Sequence, residues 1–224
     1  MKLRFSGWLG AFLVAATVLV ALLSLVWTPY DPTLAHPDVR LAGPSAEHLL
    51  GTDRFGRDTA SRIMAGAQIT VFVGLVAVGI AALVGVPLGI LAGMRRGTWV
   101  DALVMRGADL LLAFPALLLA IIAGAVWGPS TLTAMVAIGI AGIPSFARVA
   151  RSGTLQVITQ DFISSARISA VPGWKVALRH ILPNLTGLLI VQASVYFALA
   201  ILAEAGLSYL CLLYTSDAAD DSLR

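Results

Sequence analysis

Long apolar runs alternate with short polar ones along this chain. Apolar positions dominate at about 8–28, 69–93, 103–126, 131–149 and 184–208. Each run approaches the ~20 residues that a helix needs to cross ~30 Å of hydrocarbon, so the pattern predicts five membrane-spanning helices. Gly and Ala recur within them, and Pro87 lies inside the second. Small residues let helix backbones approach closely in lipid, where an internal Pro is also tolerated. Two polar stretches interrupt the pattern. One, from Pro29 to Gln68, is rich in Pro, Asp and Arg. The other, "DFISSARISAVPGWKVALRHILPN" at 161–184, separates the fourth run from the fifth.

The second stretch reads as helix, break, helix. Asp161 is placed to cap a helix with Phe162, Ile163 and Ala166 on one face and Arg167 toward the other. Val171 precedes Pro172, which disfavours continuation, and Gly173 loosens the turn. Trp174, Leu178 and Ile181 then recur at helical spacing with Lys175 and Arg179 opposite, and Pro183 opens the next span. The pattern predicts two short amphipathic helices on a membrane surface. They suit either of two roles. One is anchoring among anionic headgroups. The other is docking, in which the small side chains of Ser164, Ser165, Ala166, Ser169 and Ala170 admit a soluble partner.

Composition supports a lipid environment. Of 224 residues 58% are apolar and 12% charged, and the mean hydropathy is +0.90; a soluble fold of this length lacks the interior for so many apolar side chains. The net charge of +3 fits basic cytoplasmic loops, and no nucleic-acid-reading motif accompanies it. The single Cys211 provides neither a disulfide pair nor a metal set, and His36, His48 and His180 are scattered. No catalytic motif occurs. The run from Trp8 to Trp27 is longer than a signal-peptide core and ends without a small-residue cleavage site, which predicts an uncleaved first span. The Lys and Arg distribution places the N-terminus and 151–183 inside and 29–68 outside.

Other charged positions have local readings. In "GTDRFGRD" (51–58), Asp53–Arg57 and Arg54–Asp58 have the spacing of helical ion pairs on a solvated face. Asp109 follows Arg106 by three residues, which suggests a structural pair near the inner interface, and Glu204 falls near the outer end of the fifth span.

The polar loop resembles the cytoplasmic loop of ABC-importer permeases, whose pattern is EAA, three residues, Gly, nine residues, then I-x-L-P. In that register this chain has "SSA" at 164–166, Ala170, and "HILP" at 180–183, so Ser164 stands at the family's Glu and Ala170 at its Gly. "RHILPNL" with the following "IVQ" (179–192), "LLGTDRFGRDTASRIMAGAQIT" (49–70), "MRGADLLLAFPALLLAI" (105–121) and "EAGLSYL" (204–210) are similar to the dipeptide, oligopeptide and nickel branch of that family. The resemblance implies an all-α integral membrane permease with coupling helices between spans four and five. It implies a second homologous permease, two cytoplasmic ATPases and an external substrate-binding protein as partners in a bacterial or archaeal inner membrane. ATP and Mg²⁺ would be held by the ATPases, with no cofactor on this chain. The cargo would be di- or oligopeptides, or nickel or a related small solute. The ATPase-coupling surface would comprise Phe162, Ser164, Ser165, Ala166, Arg167, Ala170, Gly173, Trp174, Leu182 and Pro183. Asp53, Arg54, Arg57 and Asp58 would belong to the surface that meets the binding protein.

The expected organisation is a cytoplasmic end and first helix at 1–28, an external segment at 29–68, and a permease core at 69–210 containing the coupling loop 151–183. The tail "CLLYTSDAADDSLR" (211–224) resembles translated adaptor sequence, and the family pattern would continue into a sixth span; residues 211–224 are therefore expected to be non-native. The alternative class is an ion-coupled secondary transporter, which needs ionisable residues near the bilayer midplane. Asp109 and Glu204 both read as lying near a boundary.

Overall fold

A computed structural model describes residues 5–209, excluding the side chains of Phe5, Ser6 and Arg167. The chain is all-α in its described residues. It divides into two compact units, residues 1–72 and 73–224.

In the first unit, α1 (Phe5–Ser24) is an apolar helix exposed along nearly its whole length. Helix α2 (Thr59–Met94) begins in this unit. Its start lies well before the apolar run at 69–93, and Asp58 is the reason. The Asp58 carboxylate accepts the Ser61 N–H at 2.8 Å and the Ser61 hydroxyl at 2.7 Å, and the Asp58 carbonyl accepts the Arg62 N–H. This is N-cap geometry, which satisfies backbone donors that a helix start leaves orphaned. The expected boundary at Gln68 therefore moves into the helix.

In the second unit, α2 continues through Pro87 without interruption. The expected third span is not one straight helix. It forms α3 (Trp99–Leu112) and α4 (Ala116–Trp127), bent by 81° at a short break. Pro115 has no N–H to offer and restricts Phe114 before it, so α3 closes with Phe114 N–H donating to Leu111 O in a tightened last turn. Helix α5 (Thr131–Val157) opens on Ser130, whose hydroxyl accepts the Thr133 N–H at 3.1 Å. Four helical stretches among the described residues are long and apolar enough to cross a membrane: 7–24, 59–94, 131–157 and 173–209. The pair α3–α4 makes a fifth if the bent pair is one span.

Close backbone packing organises this unit. Gly85, Gly89 and Gly93 form a stripe on α2 at helical spacing. A methyl group added to them would stand 2.6 Å from Ile143 O, 2.2 Å from Ala147 O and 2.7 Å from the Thr154 side chain. Opposite them α5 offers Ala147, Ala150 and Thr154, all buried. Tyr196 on the last long helix donates to Ile138 O at 2.6 Å and sets its ring edge-on to Phe146. That hydroxyl could not be left unpaired in an apolar interior without a cost of roughly 1–3 kcal/mol.

Candidate functional site

The loop between α5 and the last long helix is built as a continuous handle. After α5, a turn at Ile158–Gln160 leads into α6 (Asp161–Ile168). Ile163 is fully buried and Ala166 is 8% exposed; both join the apolar cluster of Phe146, Ala150, Ile181 and Leu185. Ser164 and Ser165 are exposed, and so are Phe162 at 43% and Ile168 at 88%. Helix α6 thus spends one side on its own bundle and shows the other outward. Ala166 was expected on the docking face, but its methyl packs inward, because Ile163 and Ala166 occupy the same side at i and i+3. The Arg167 side chain lies outside the described residues.

Helix α6 ends on a left-handed residue. Ala170 has φ +53°, and Val171 N–H donates to Ala166 O at 3.1 Å. This six-to-one bond with a left-handed residue before the donor is a Schellman ending, which favours Gly at that residue. Val171 packs on the same cluster as Ala166.

Beyond Pro172, the expected second short helix does not stand alone. Helix α7 (Gly173–Val176) passes through a π-helical turn (Ala177–Ile181) directly into α8 (Leu182–Tyr209). Leu182 and Pro183 therefore lie within a continuous helical rod, not at a break. Pro183 cannot donate to the carbonyl one turn back, and the wider π turn absorbs the mismatch, with Leu182 N–H reaching Ala177 O. The Asn184 side chain donates to His180 O at 2.7 Å. The π turn also shifts the helical register. Ile181 and Val176 are buried, whereas Trp174 and Leu178 are exposed at 64% and 59% and share a surface with Lys175 and Arg179. The expected face of Trp174, Leu178 and Ile181 opposite the two cations is replaced by one mixed aromatic and basic face.

Two inter-helix ion pairs lie on the α5 side of this handle. Arg151 on α5 meets Asp101 on α3, and Arg148 meets Asp109. Asp109 pairs across helices and not with Arg106, because the longer-range partner approaches from the facing helix. Asp101 carries no local spacing signal, since its partner is fifty positions away.

The polar segment before α2, within the first unit, holds a second arrangement. Asp53 receives Arg57 Nε at 2.9 Å, Arg62 Nη1 at 2.5 Å, and the backbone N–H groups of Phe55 and Arg57 at 2.8 and 3.0 Å. Burial raises its pKa, but those hydrogen bonds and the Arg57 charge outweigh it and bring the carboxyl down to about 2. The Arg54 and Arg57 guanidinium groups both lie over the Phe55 ring, 4.9 and 4.8 Å from its centroid. The expected Arg54–Asp58 pair is not formed. Asp58 is 3% exposed, capping α2 and bonded to His48 Nδ1 at 3.0 Å, so it has no free surface to present. Tyr30 closes this knot: its ring lies 4.8 Å from the His48 ring, and its N–H donates to Ser61 Oγ at 3.0 Å.

Apolar helices of spanning length, packed through small residues and joined by a half-exposed helical handle, define a multi-pass α-helical membrane protein. Residues 85–217 match the family described as binding-protein-dependent transport system inner membrane component. The chain belongs to that family. It is 40% identical over 203 residues to a dipeptide transport system permease protein of Alkalihalophilus pseudofirmus, covering 91% of this chain and 66% of the relative. It is 39% identical over 206 residues to a glutathione transport system permease protein of Pectobacterium atrosepticum, covering 89% and 68%. Against a probable D,D-dipeptide transport system permease protein of Escherichia coli the identity is 38% over 202 residues, covering 88% and 67%. The chain spans about two thirds of the length of these relatives. The relatives are transport permease proteins.

Proposed function

We propose that this chain is a permease subunit of an ATP-driven importer for short peptides, with α6 as the element that docks a cytoplasmic ATPase. Peptide cargo is preferred over nickel because the relatives quoted above are named for dipeptides and glutathione. The partners would be a second homologous permease, two ATPases that hold ATP and Mg²⁺, and an external binding protein that meets the segment around Asp53, Arg54 and Arg57. The N-terminus and the handle would face the cytoplasm.

One observation carries the coupling role. Helix α6 is seated by Ile163 and Ala166 yet leaves Phe162 and Ile168 exposed, with Ser164 and Ser165 between them. Apolar side chains presented beside small ones suit a protein groove that approaches the backbone. From there, motion has a stiff route inward. The cluster ties α6 to α8, and α7 joins α8 without an intervening loop. ATPase closure would displace α6 and tilt α8 with it, switching the pathway between inward-open and outward-open forms. The inter-helix pair Asp101–Arg151 would keep α3 moving with α5.

The test uses the outward positions. Phe162→Glu combined with Ile168→Glu should abolish ATPase copurification and peptide uptake while membrane insertion and thermal stability stay close to wild type. Ser165→Ala should leave both intact. Retention of the ATPase by the double variant would remove α6 from the coupling role.

A further inference from the structure

We infer that the face formed by Trp174, Lys175, Leu178 and Arg179 is a binding site for the headgroup of an anionic phospholipid. The four side chains line a shallow groove of about 240 Å³. Lys175 Nζ stands 5.5 Å from the centroid of the Trp174 ring, within the range of a cation–π contact. No carboxylate among the described residues pairs with Lys175 or Arg179. The groove therefore joins two uncompensated cations to an exposed indole and an exposed leucine.

Its level along the helix selects the occupant. From Ile181 to Ala203 the sequence carries no charged residue. As a helix rising 1.5 Å per residue that run is about 34 Å long, which matches ~30 Å of hydrocarbon crossed at an ordinary tilt. Arg179 lies two residues before the run and Lys175 six, so they stand about 3–9 Å beyond the hydrocarbon edge. That is the depth of the headgroup layer. A Trp belongs at this boundary, with its ring against acyl chains and glycerol, while the cations meet phosphate. A soluble ATPase would have to reach the same groove past the lipid surface.

The inference does not rest on the coupling role of α6, and it removes Trp174 from that surface. Across the π turn Ile181 is buried, while Trp174 and Leu178 stay exposed beside the cations. A bound headgroup at this place would hold the base of α8 at a fixed depth.

The protein would be purified into nanodiscs of equal phosphatidylglycerol and phosphatidylcholine, and the lipids it retains on release counted by native mass spectrometry. Wild type should retain phosphatidylglycerol over phosphatidylcholine, with about a fivefold preference per cation engaged. Lys175→Gln with Arg179→Gln should reduce retention to the bulk ratio, and Trp174→Leu should lower it partway. Lys175→Arg with Arg179→Lys preserves charge and should preserve the enrichment, which separates a lipid effect from misfolding. An unchanged lipid ratio in the Gln double variant would overturn the inference. So would a variant that keeps its lipid and loses ATPase copurification, because the face would then be a protein-docking surface.

Discussion

Arg151 on α5 grips Asp101 on α3 with two parallel hydrogen bonds, Nε to Oδ1 at 2.6 Å and Nη2 to Oδ2 at 2.8 Å. The carboxylate side chain is 8% exposed and the guanidinium side chain 28%. Asp101 also accepts the Gly97 N–H at 3.1 Å, so one carboxylate closes the turn before α3 and fastens α3 to α5. A planar guanidinium suits this two-point contact, and an ammonium does not.

Truncation at this pair should be costly. Asp101→Ala leaves a partly buried guanidinium and a turn N–H without their acceptor. The expected loss is about 2 kcal/mol, between the ~0–1 of an exposed pair and the ~3–5 of breaking a fully buried one. Thermal unfolding in detergent of Asp101→Ala, Arg151→Ala and the double variant would measure the coupling. Arg151→Lys should retain less than half of it. Additive single effects would show that the two side chains do not act together.

Ala170 offers a test in the opposite direction. A left-handed conformation costs a residue with a Cβ roughly 1–2 kcal/mol relative to Gly. Gly gives part of that back through the greater freedom of its unfolded chain, about 0.4–1 kcal/mol. Ala170→Gly should therefore stabilise the end of α6 by about 0.5 kcal/mol, and Ala170→Val should destabilise it. Hydrogen exchange of the Val171 amide, which the Schellman bond protects, is the direct measurement. Slower exchange in the Gly variant is expected, and faster exchange would refute the strain.

Acid should loosen the segment around Asp53. Asp53 titrates at about 2, against an ordinary 3.8. At Asp58, burial raises the pKa but the Ser61 N–H, the Ser61 hydroxyl and His48 outweigh it, leaving the carboxyl below its ordinary value. A depressed carboxyl stabilises the folded form fully above the unfolded value, and the contribution is lost as pH falls through the folded one. For Asp53 that window runs from about 4 down to about 2. Protection factors of the Phe55 and Arg57 amides, taken against the unstructured rate at each pH, should fall across it, and Asp53→Asn should be flat there with lower protection already at neutral pH. A wild-type profile as flat as that of the variant would count against the hydrogen-bonded carboxylate.

The sequence revealed the long helices because lipid imposes one strong requirement: an apolar stretch of spanning length that satisfies its own backbone. It revealed α6 because Asp161, Val171 and Pro172 bound it. What it concealed was long-range or ambiguous. Asp58 read as a surface charge, although an Asp three residues before Ser61 can equally begin a helix. Pro115 was visible, but Pro87 and Pro144 lie inside unbroken helices, so proline alone does not announce an 81° bend. Local spacing pairs Asp109 with Arg106 and cannot see Arg148 or Arg151 on a facing helix. The π turn at Ala177–Ile181 defeated a face drawn at 3.6 residues per turn. In the loop after α5, the docking reading put Ala166 outward, and it packs inward beside Ile163.

Two glycines on one helix should respond with opposite signs. A methyl group on Gly89 would stand 2.2 Å from Ala147 O and 2.7 Å from Ala150 Cβ, whereas one on Gly79 would meet nothing within 4 Å. The obstruction at Gly89 is mostly backbone, so no side chain can swing aside; α2 and α5 must separate. Gly89→Ala should therefore cost about 1–3 kcal/mol of packing, less up to ~1 kcal/mol regained because Ala favours helix over Gly. Gly79→Ala should keep the propensity gain alone and raise stability by up to ~1 kcal/mol. Paired melting curves in one detergent are the measurement, since detergent effects then cancel. If both variants shift the same way, the close approach of α2 and α5 at Gly89 is not what holds this part of the bundle together.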